Sequence, residues 1–256
     1  MTSPRILIIA GSDSGGGAGI QADIKTVTML GGHAMTAITA ITAQNTIGVQ
    51  AVMPVPTAMV VAQIDSVVSD LGVDAVKIGM IGSAQTAEAV AERLERQSVP
   101  IVFDPVMIAT SGSALADEAT VAAFGRLMRL ASVVTPNLPE LEALGGEEAV
   151  LAHGCHLVIK GGHAAGPRIV DRLLSPKGEI HSLEGKRFDT DDTHGTGCTF
   201  ATALATGLGA GLPIRDAFDR AVRFVRIAIL EAPGLGQGHG PLGHHLGVVP
   251  FDVIDG

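Results

Sequence analysis

Short apolar runs alternate along the chain with longer stretches in which apolar residues recur every three or four positions. The short runs are rich in β-branched residues and are bounded by Gly, Pro, Asp or Asn, a pattern typical of strands buried on both faces of a sheet. We predict such strands at residues 5–10, 75–79, 101–104, 132–135 and 156–160. The longer stretches predict helices at 19–30, 57–71, 84–97, 115–130, 138–144, 196–210 and 214–231. Strand–helix alternation of this kind predicts an α/β fold with a mainly parallel sheet between helices.

Two regions depart from this alternation. Residues 35–43 and 49–55 are separated by a short turn and predict a pair of strands, and residues 168–190 predict an antiparallel meander at the sheet edge. Since no long linker, charge block or repeat interrupts residues 1–256, we expect a single domain. The Gly/His-rich segment from about 233 to 256 predicts an irregular, solvated tail, because its histidines lack further ligand-type residues at a fixed spacing.

Composition narrows the class of protein. Hydrophobic residues make up 46% of the 256 residues, and with no Trp, no Tyr and seven Phe the core must be built from aliphatic side chains. The net charge is −9 and the basic residues are scattered, so a nucleic-acid-binding face is not expected.

The same data give an expectation for the compartment. Two cysteines, Cys155 and Cys198, do not make a disulfide framework. The first residues, MTSPRILIIAGSDS, lack the apolar core of a signal peptide, and no apolar run approaches the roughly 18 residues of a membrane span. We therefore expect a cytoplasmic protein without a membrane anchor.

The first candidate motif is the glycine-rich segment GSDSGGGAGIQAD at residues 11–23. It lacks the lysine of a Walker A loop, and a G-x-G-x-x-G match fails because Ile20 stands at the last position. The tetrapeptide DSGG resembles a serine-protease nucleophile loop, but nothing else in the chain fits that class. The segment is either a turn that packs for its own sake or a lining that a ligand can approach closely. In the second case Asp23 would present a carboxylate to the ligand.

A second glycine-rich turn, THGTGCT at residues 193–199, precedes a helix of small residues. If the N–H groups of Gly195, Thr196, Gly197 and Cys198 point the same way, they form an anion site suited to a phosphoryl group. The same field would lower the pKa of the Cys198 thiol below about 8.5. The alternative is that Cys198 is a small packing residue at a tight helix start.

Polar groups follow two of the predicted strands. Asp104 ends one strand, and Asn137 and Glu140 lie between another strand and the first turn of a helix. Together with ATP phosphates, these oxygens would suit Mg²⁺. The alternative for Asn137 and Glu140 is a helix-capping pair.

Taken together, the motifs AGSDSGGGAGIQADIKT, TAITAQNT, VKIGM, DPVM, TPNLPE, VIKGGH and DTHGTGCT resemble the ribokinase superfamily. Their order and spacing are similar to those of its hydroxymethylpyrimidine/phosphomethylpyrimidine kinases of thiamine biosynthesis. The resemblance covers nearly the whole chain except the last 25 or so residues. It implies a three-layer α/β/α sandwich with a mostly parallel central sheet and a small β-flap that includes residues 35–55.

The resemblance also implies roles for single residues. The pyrimidine would be bound by Gly11, Asp23, Gln44 and Met80, and the catalytic turn would comprise Gly195, Thr196, Gly197 and Cys198, with Cys198 in the place of a catalytic base. Nucleotide contacts would come from Asn137, Lys160 and Thr196, although Lys160 also fits an ordinary strand-end lysine. Mg²⁺ would be held with ATP by Glu140 and Asp104. The family suggests a homodimer and leaves open whether a monovalent cation activates the enzyme.

Two alternatives to the pyrimidine kinase differ in substrate or in class. A pyridoxal/pyridoxine kinase shares the fold and the GTGC turn, but the first glycine loop and the TAQNT motif favour the pyrimidine. A non-catalytic pyrimidine-binding regulatory protein would keep the pocket without turnover. Retention of Cys198 and Glu140 disfavours that alternative, because binding alone needs no base.

Overall fold

The computed structural model describes residues 3–108, 112, 115–163 and 166–248. Within these residues the strands are β1 (Arg5–Asp13), β2 (His33–Gln44), β3 (Val49–Pro54), β4 (Ala75–Ile78), β5 (Ile101–Phe103), β6 (Val133–Val134), β7 (His156–Ile159), β8 (Arg168–Ser175) and β9 (Gly178–Lys186). The helices are α1 (Gly19–Met29), α2 (Thr57–Asp70), α3 (Ala84–Leu94), α4 (Glu118–Leu130), α5 (Leu138–Ala143), α6 (Gly146–Leu151), α7 (Thr196–Gly209) and α8 (Ile214–Leu230). A 3₁₀ turn covers Gly161–His163.

The described strands form one sheet in the order β3-β2-β1-β4-β5-β6-β7-β8-β9. The six strands from β2 to β7 in this order pair in parallel, and β3, β8 and β9 add antiparallel pairs at the two edges. The predicted α/β class and mostly parallel sheet are thus confirmed. The expected flap strands continue the main sheet, since β2 pairs with both β1 and β3.

The alternation of side chains along β1 divides the apolar interior into two cores. Leu7 and Ile9 belong to a core shared with α2, α3 and α4, whereas Ile6 and Ile8 belong to a core shared with α1, α7 and α8. This is the three-layer arrangement that period-2 strands produce when both faces are buried. The small residues of α7 allow close packing: a β-carbon on Gly209 would lie 2.7 Å from Ile6 Cδ1.

Two short elements differ from the prediction. The segment predicted as a three-strand meander contains the hairpin β8–β9, and residues 187–190 follow it without strand structure. Helix α6 was not predicted, because six residues between two glycines are too few to show a 3.6-residue period.

Residues 249–256 of the predicted tail lie outside the described residues. Residues 233–239 are irregular and exposed as predicted, but the prediction of a solvated tail is wrong for residues 240–244. The backbone is irregular there, yet Leu242 and His244 are buried. His244 Nε2 lies 2.9 Å from Thr199 Oγ1, and burial lowers the pKa of His244 to about 4. Gly243 N donates to Ala228 O at 2.8 Å. Gly243 serves this packing, because a β-carbon there would overlap the Glu231 carbonyl.

A buried ion pair links the sheet to two helices beneath the carboxyl ends of the strands. Lys77 on β4 and Asp23 on α1 are fully buried, with Nζ and Oδ2 2.8 Å apart. Asp23 Oδ1 accepts a hydrogen bond from Thr202 Oγ1 of α7 at 2.6 Å. Burial alone would lower the pKa of Lys77, but the nearby carboxylate of Asp23 outweighs it and raises that pKa, so the ammonium stays charged.

Lys77→Met leaves the Asp23 carboxylate without its cation. We expect the free energy of unfolding to fall by roughly 3–5 kcal/mol, because an uncompensated buried charge is costly. Urea titration followed by circular dichroism measures the change. The double variant Asp23→Leu/Lys77→Met should recover part of the loss.

The part-exposed Arg5–Asp74 pair provides the control. Asp74→Asn should cost much less than Lys77→Met, because exposed ion pairs contribute little. Equal losses in the free energy of unfolding of the two variants would show that the buried pair contributes no more to stability than the exposed pair.

Candidate active site

A cavity of about 820 Å³ lies at the carboxyl ends of the parallel strands. It spans the point between β1 and β4 where the strand order reverses, which is where open α/β sheets bind ligands. Its walls include eleven of the twelve residues predicted as site residues: Gly11, Gln44, Met80, Asp104, Asn137, Glu140, Lys160, Gly195, Thr196, Gly197 and Cys198. The twelfth, Asp23, is not among them.

The expectation of a direct contact between Asp23 and the ligand is corrected by the structure. Asp23 points into the protein interior, is fully buried and is occupied by Lys77 and Thr202. A helix that packs on a sheet turns one face toward the sheet. The sequence predicted that Asp23 lies on α1, but it did not predict that Asp23 lies on the inward face. Its place is under the cavity rather than in its wall.

The two glycine-rich turns contact each other across the cavity floor. Gly195 precedes α7 with φ +84°, and a β-carbon there would overlap the Gly17 carbonyl oxygen. A β-carbon on Gly17 would in turn lie 3.1 Å from Pro241 Cβ. Glycine is therefore required at Gly195 both for its backbone conformation and for the close approach of the first turn.

The helix start supplies fewer free donors than predicted. Thr196 N donates to Thr193 O at 3.2 Å, and Thr199 N makes the first regular helical bond, to Gly195 O at 2.9 Å. The N–H groups of Gly197 and Cys198 belong to the first turn, where the helix itself offers no acceptor. These two are the residues of the turn best suited to face an anion.

The predicted lowering of the Cys198 pKa is wrong for this structure. Cys198 is partly buried in the cavity wall, and its pKa is raised to about 11. Burial is the main cause, and the carboxylates of Asp23 and Asp104 add to it, while Lys77 and a hydrogen bond from the Gly19 N–H oppose it. Burial thus outweighs the influences that favour the thiolate, and the thiol is neutral at pH 7.

A carboxylate and a lysine lie beside the second turn. Lys160 Nζ is 3.2 Å from Asp104 Oδ1, which also accepts a hydrogen bond from Thr135 Oγ1 at 3.1 Å. The absence of a side chain at Gly197 lets this pair lie against the turn. A β-carbon there would be 3.2 Å from Lys160 Nζ and 3.6 Å from Asp104 Oδ2. The arrangement places a cation and a carboxylate next to the N-terminus of α7.

Asn137 and Glu140 form the capping box of α5 and also face the cavity. Asn137 Oδ1 accepts from Glu140 N, and Glu140 Oε2 accepts from Asn137 N, both at 2.9 Å. Burial, together with the negative charge of Asp104, raises the pKa of Glu140 to about 7 despite the opposing effect of Lys160. Capping and cavity lining are therefore compatible roles for this carboxylate.

At the other end of the cavity, Gly11, Met80 and Gln44 lie together. A β-carbon on Gly11 would lie 3.0 Å from Met80 Sδ, so the glycine allows the thioether to pack against β1. The Gln44 backbone is fixed by Ser14: Gln44 N donates to Ser14 Oγ, which donates to Gln44 O, both at 2.8 Å. The apolar and amide groups of this end suit a small heteroaromatic ring.

Sequence reasoning missed the pair formed by Asp13 and His194. Both residues stand inside the quoted motifs, GSDSGGG and DTHGTGCT, but no role was assigned to them. In the structure they line the cavity, and His194 Nε2 is 2.9 Å from Asp13 Oδ2. Only the folded chain brings the two motifs together, so no signal local to either motif indicates the pair.

The solved structures that resemble this chain define its class. A Bacillus subtilis pyridoxal kinase in complex with ADP matches with a TM-score of 0.87 and 33% identity over 96% of this chain and 98% of that one. A Clostridium difficile phosphomethylpyrimidine kinase matches with a TM-score of 0.76 and 35% identity over 89% and 100%. The fold is thus that of a ribokinase-like α/β protein.

The family follows from the sequence comparisons. A family model described as phosphomethylpyrimidine kinase matches residues 13–243, and the chain belongs to this family. Hydroxymethylpyrimidine/phosphomethylpyrimidine kinases of Rhizobium meliloti and Haemophilus influenzae are 47% and 42% identical, with 93% and 94% of this chain and 96% of each relative covered. The chain spans 35% and 52% of two longer relatives, thiamine biosynthesis proteins of Corynebacterium efficiens (multifunctional) and Geobacter sulfurreducens (bifunctional).

A raised Cys198 pKa predicts slow alkylation at neutral pH. In a Cys155→Ser variant, which leaves Cys198 as the single thiol, the rate with iodoacetamide should rise about tenfold per pH unit from pH 7 to 10, because the thiolate is the nucleophile. Mass spectrometry of timed samples measures the rate. A plateau near pH 7 would mean that the thiol is already ionised and would contradict the assignment.

Proposed function

We propose that this protein phosphorylates 4-amino-5-hydroxymethyl-2-methylpyrimidine with ATP, and then phosphorylates the monophosphate to the diphosphate, in thiamine diphosphate biosynthesis. The observation that carries the proposal is one cavity whose walls contain Gly11, Gln44 and Met80 together with a glycine turn, a helix start and a carboxylate–lysine pair. Family membership supports the same activity. We propose that residues 1–256 act as one ribokinase-like kinase domain.

In this proposal the hydroxymethyl oxygen attacks the γ-phosphorus, the bond to the β-phosphate oxygen breaks, and ADP leaves. The N–H groups of Gly197 and Cys198 stabilise charge on the transferred group, and Lys160 adds its positive charge. Such reactions depend mainly on positioning and electrostatics. Gln44, Met80 and Gly11 would hold the pyrimidine, with Asn137 and Thr196 at the nucleotide end.

We propose that the reaction requires Mg²⁺, held by Glu140 and Asp104. Among the described residues, no group of three or more His, Cys, Asp or Glu is arranged as a metal site. Two carboxylates fit Mg²⁺ nevertheless, because this ion is commonly bound by one or two carboxylates together with water and substrate phosphates. When bound, Mg²⁺ would neutralise charge on the ATP phosphates.

The neutral thiol supports one of the two roles open to Cys198, which are catalytic base and orienting group. A group with a pKa of about 11 holds no ready thiolate at neutral pH. The transition state of phosphoryl transfer is loose and needs little help from a base. We therefore assign Cys198 to orienting the hydroxymethyl group, and the hydroxyl proton passes late in the transfer to an oxygen of the transferred phosphoryl group.

Pyridoxal kinase activity is the second candidate. A specific observation favours it: a Staphylococcus aureus pyridoxal kinase solved with AMP-PCP and pyridoxal matches with a TM-score of 0.86 and 30% identity. Pyridoxal and the aminopyrimidine are both small heteroaromatic hydroxymethyl compounds, so one cavity could serve either. Only the pyrimidine pathway requires a second phosphorylation.

We also propose a cytoplasmic homodimer. Exposed apolar side chains on β2, β3 and α2, namely Ile41, Val52, Met53 and Met59, would be covered by a second copy. Both cysteines are free, which fits a reducing compartment. No described helix is long and apolar enough to cross a membrane.

The activity is tested by coupled ADP release with Mg-ATP and 4-amino-5-hydroxymethyl-2-methylpyrimidine, in potassium and in tetramethylammonium buffers, with products identified by mass. Monophosphate followed by diphosphate is the expected result. Monophosphate alone, with faster turnover of pyridoxal, would replace the proposal by the second candidate. Tight pyrimidine binding without ADP release would indicate a binding protein, and neither binding nor release would reject both kinase assignments.

Variants of Cys198 test its orienting role. Cys198→Ala should lower kcat by roughly 10- to 100-fold with little change in pyrimidine affinity, and Cys198→Ser should lose less, because its hydroxyl still forms hydrogen bonds. Steady-state kinetics and calorimetry measure the two quantities. Equal kcat losses for Ser and Ala would favour a thiolate base, and equal losses in kcat and affinity would favour a packing role.

Glu140→Gln separates metal binding from helix capping, because Gln at this position still completes a capping box. We expect the Mg²⁺ concentration at half-maximal rate to rise about tenfold, since one anionic oxygen is lost. Glu142→Gln, on the exposed face of the same helix, is the control. Identical Mg²⁺ titrations for the two variants would return Glu140 to a capping role alone.

A further inference from the structure

The Asp13–His194 pair joins the two glycine turns at the heterocycle end of the cavity. Asp13 ends β1, His194 directly precedes Gly195, and the side chains are 3% and 8% exposed. The backbone of His194 is also held, because its N–H donates to Gly240 O of the C-terminal segment at 3.0 Å. The imidazole is thus fixed at its ring and at its main chain.

The pair has a defined direction of hydrogen bonding. Asp13 Oδ1 accepts from Gly15 N at 2.8 Å, and Oδ2 accepts from Ala18 N at 2.8 Å and Gly17 N at 3.1 Å. Burial raises the pKa of Asp13, but hydrogen bonds from His194, Ala18 and Gly15 outweigh it and leave the pKa below its usual value. An ionised carboxylate only accepts hydrogen bonds, so His194 Nε2 carries a hydrogen and donates it.

The same nitrogen contacts Gln44. His194 Nε2 and Gln44 Nε2 are 3.4 Å apart, and the amide nitrogen of glutamine can only donate. At the other end of the amide, Oε1 lies 3.2 Å from Thr42 Oγ1, whose single hydrogen is donated to Ser12 O at 2.9 Å. In this orientation the Gln44 Nε2 donor faces the His194 Nε2 donor. The Gln44 Oε1 acceptor faces the Thr42 hydroxyl, whose hydrogen is already donated to Ser12 O.

Rotating the amide by half a turn resolves both contacts. Gln44 Oε1 then shares the single Nε2–H of His194 with Asp13 Oδ2 in a three-centre hydrogen bond, and the amide NH₂ donates to the lone pairs of Thr42 Oγ1. The hydroxyl of Thr42 keeps its bond to Ser12 O. The backbone of Gln44 needs no change, since Ser14 holds it in place.

We propose that His194, locked by Asp13, is a positioning residue that sets the amide orientation of Gln44 and thereby the substrate preference of the cavity. The proposal rests on the proposed function in one respect, namely that Gln44 faces the substrate ring. The locked amide offers the ring one fixed pattern of donor and acceptor. Heterocycles whose edges match that pattern are bound, and those with a different edge are rejected, because a buried polar group left unpaired is costly.

A double-variant cycle tests this coupling. His194→Ala should raise KM for the aminopyrimidine about tenfold, leave kcat within about threefold, and lower the preference for aminopyrimidine over pyridoxal by a similar factor. In a Gln44→Ala background, His194→Ala should cause no further loss of preference. A purely structural role would instead give the same additional loss in both backgrounds and would overturn the proposal.

Two substitutions of similar polarity provide a finer comparison. His194→Gln places an amide nitrogen near the position of Nε2 and should restore most of the preference, whereas the shorter His194→Asn should not. His181→Ala is the matched control, since His181 forms a pair with Asp219 at 2.8 Å outside the cavity. Preference unchanged in His194→Asn, or lost in His181→Ala, would contradict the proposal.

The comparison also separates this inference from the proposed function. Calorimetry with each heterocycle, without ATP and well below each variant's melting temperature, reports preference without catalysis. If the wild-type protein shows no preference for the aminopyrimidine in binding or turnover, the proposed function fails. If the wild type shows it and His194→Asn and His194→Ala keep it in full, the inference about His194 fails alone.

Discussion

The contact between Gly17 and Gly195 is the constraint on which the site depends. The first residue follows β1 and the second precedes α7, so the contact joins segments almost 180 residues apart in the chain. No side chain larger than hydrogen fits at Gly195, where a β-carbon would overlap the Gly17 carbonyl. Because of this contact, the turn beside the heterocycle end and the turn at the phosphate end form one continuous floor. The C-terminal segment packs against both turns, because Gly240 O accepts from His194 N at 3.0 Å and a β-carbon on Gly17 would lie 3.1 Å from Pro241 Cβ.

The charged groups near this floor lie at two levels, one buried beneath the cavity and one at its wall. The Lys77–Asp23 pair lies fully buried beneath it, and the Lys160–Asp104 pair and Glu140 lie at the cavity wall. Burial is the main cause of the raised pKa of Cys198, and the carboxylates of Asp23 and Asp104 add to it while Lys77 opposes it. In the proposed function Glu140 and Asp104 would hold Mg²⁺ beside Lys160, and the neutral thiol of Cys198 is suited to hydrogen bonding.

Much of this fold could be predicted from local pattern, because buried strands and amphipathic helices carry their periods in the sequence. Residues at the ends of strands β5, β6 and β7 were placed correctly at the cavity, since parallel strands end on the same edge. The failures involve contacts between distant segments. No local sequence pattern indicates the inward position of Asp23 or the packing of the tail. The same is true of the Asp13–His194 pair. The Cys198 pKa could not be predicted either, because it depends mainly on the burial of the thiol, which only the folded chain determines.

The most direct test is to separate the two turns. In Gly195→Ala, calorimetry should show that affinity falls at least about tenfold both for ADP and for the aminopyrimidine, because one floor supports both ligands. Gly211→Ala is the control: Gly211 has a similar φ of +82°, but nothing lies within 4 Å of a β-carbon there. This variant carries the same backbone strain and should bind both ligands normally. Loss of one ligand alone in Gly195→Ala would contradict the account.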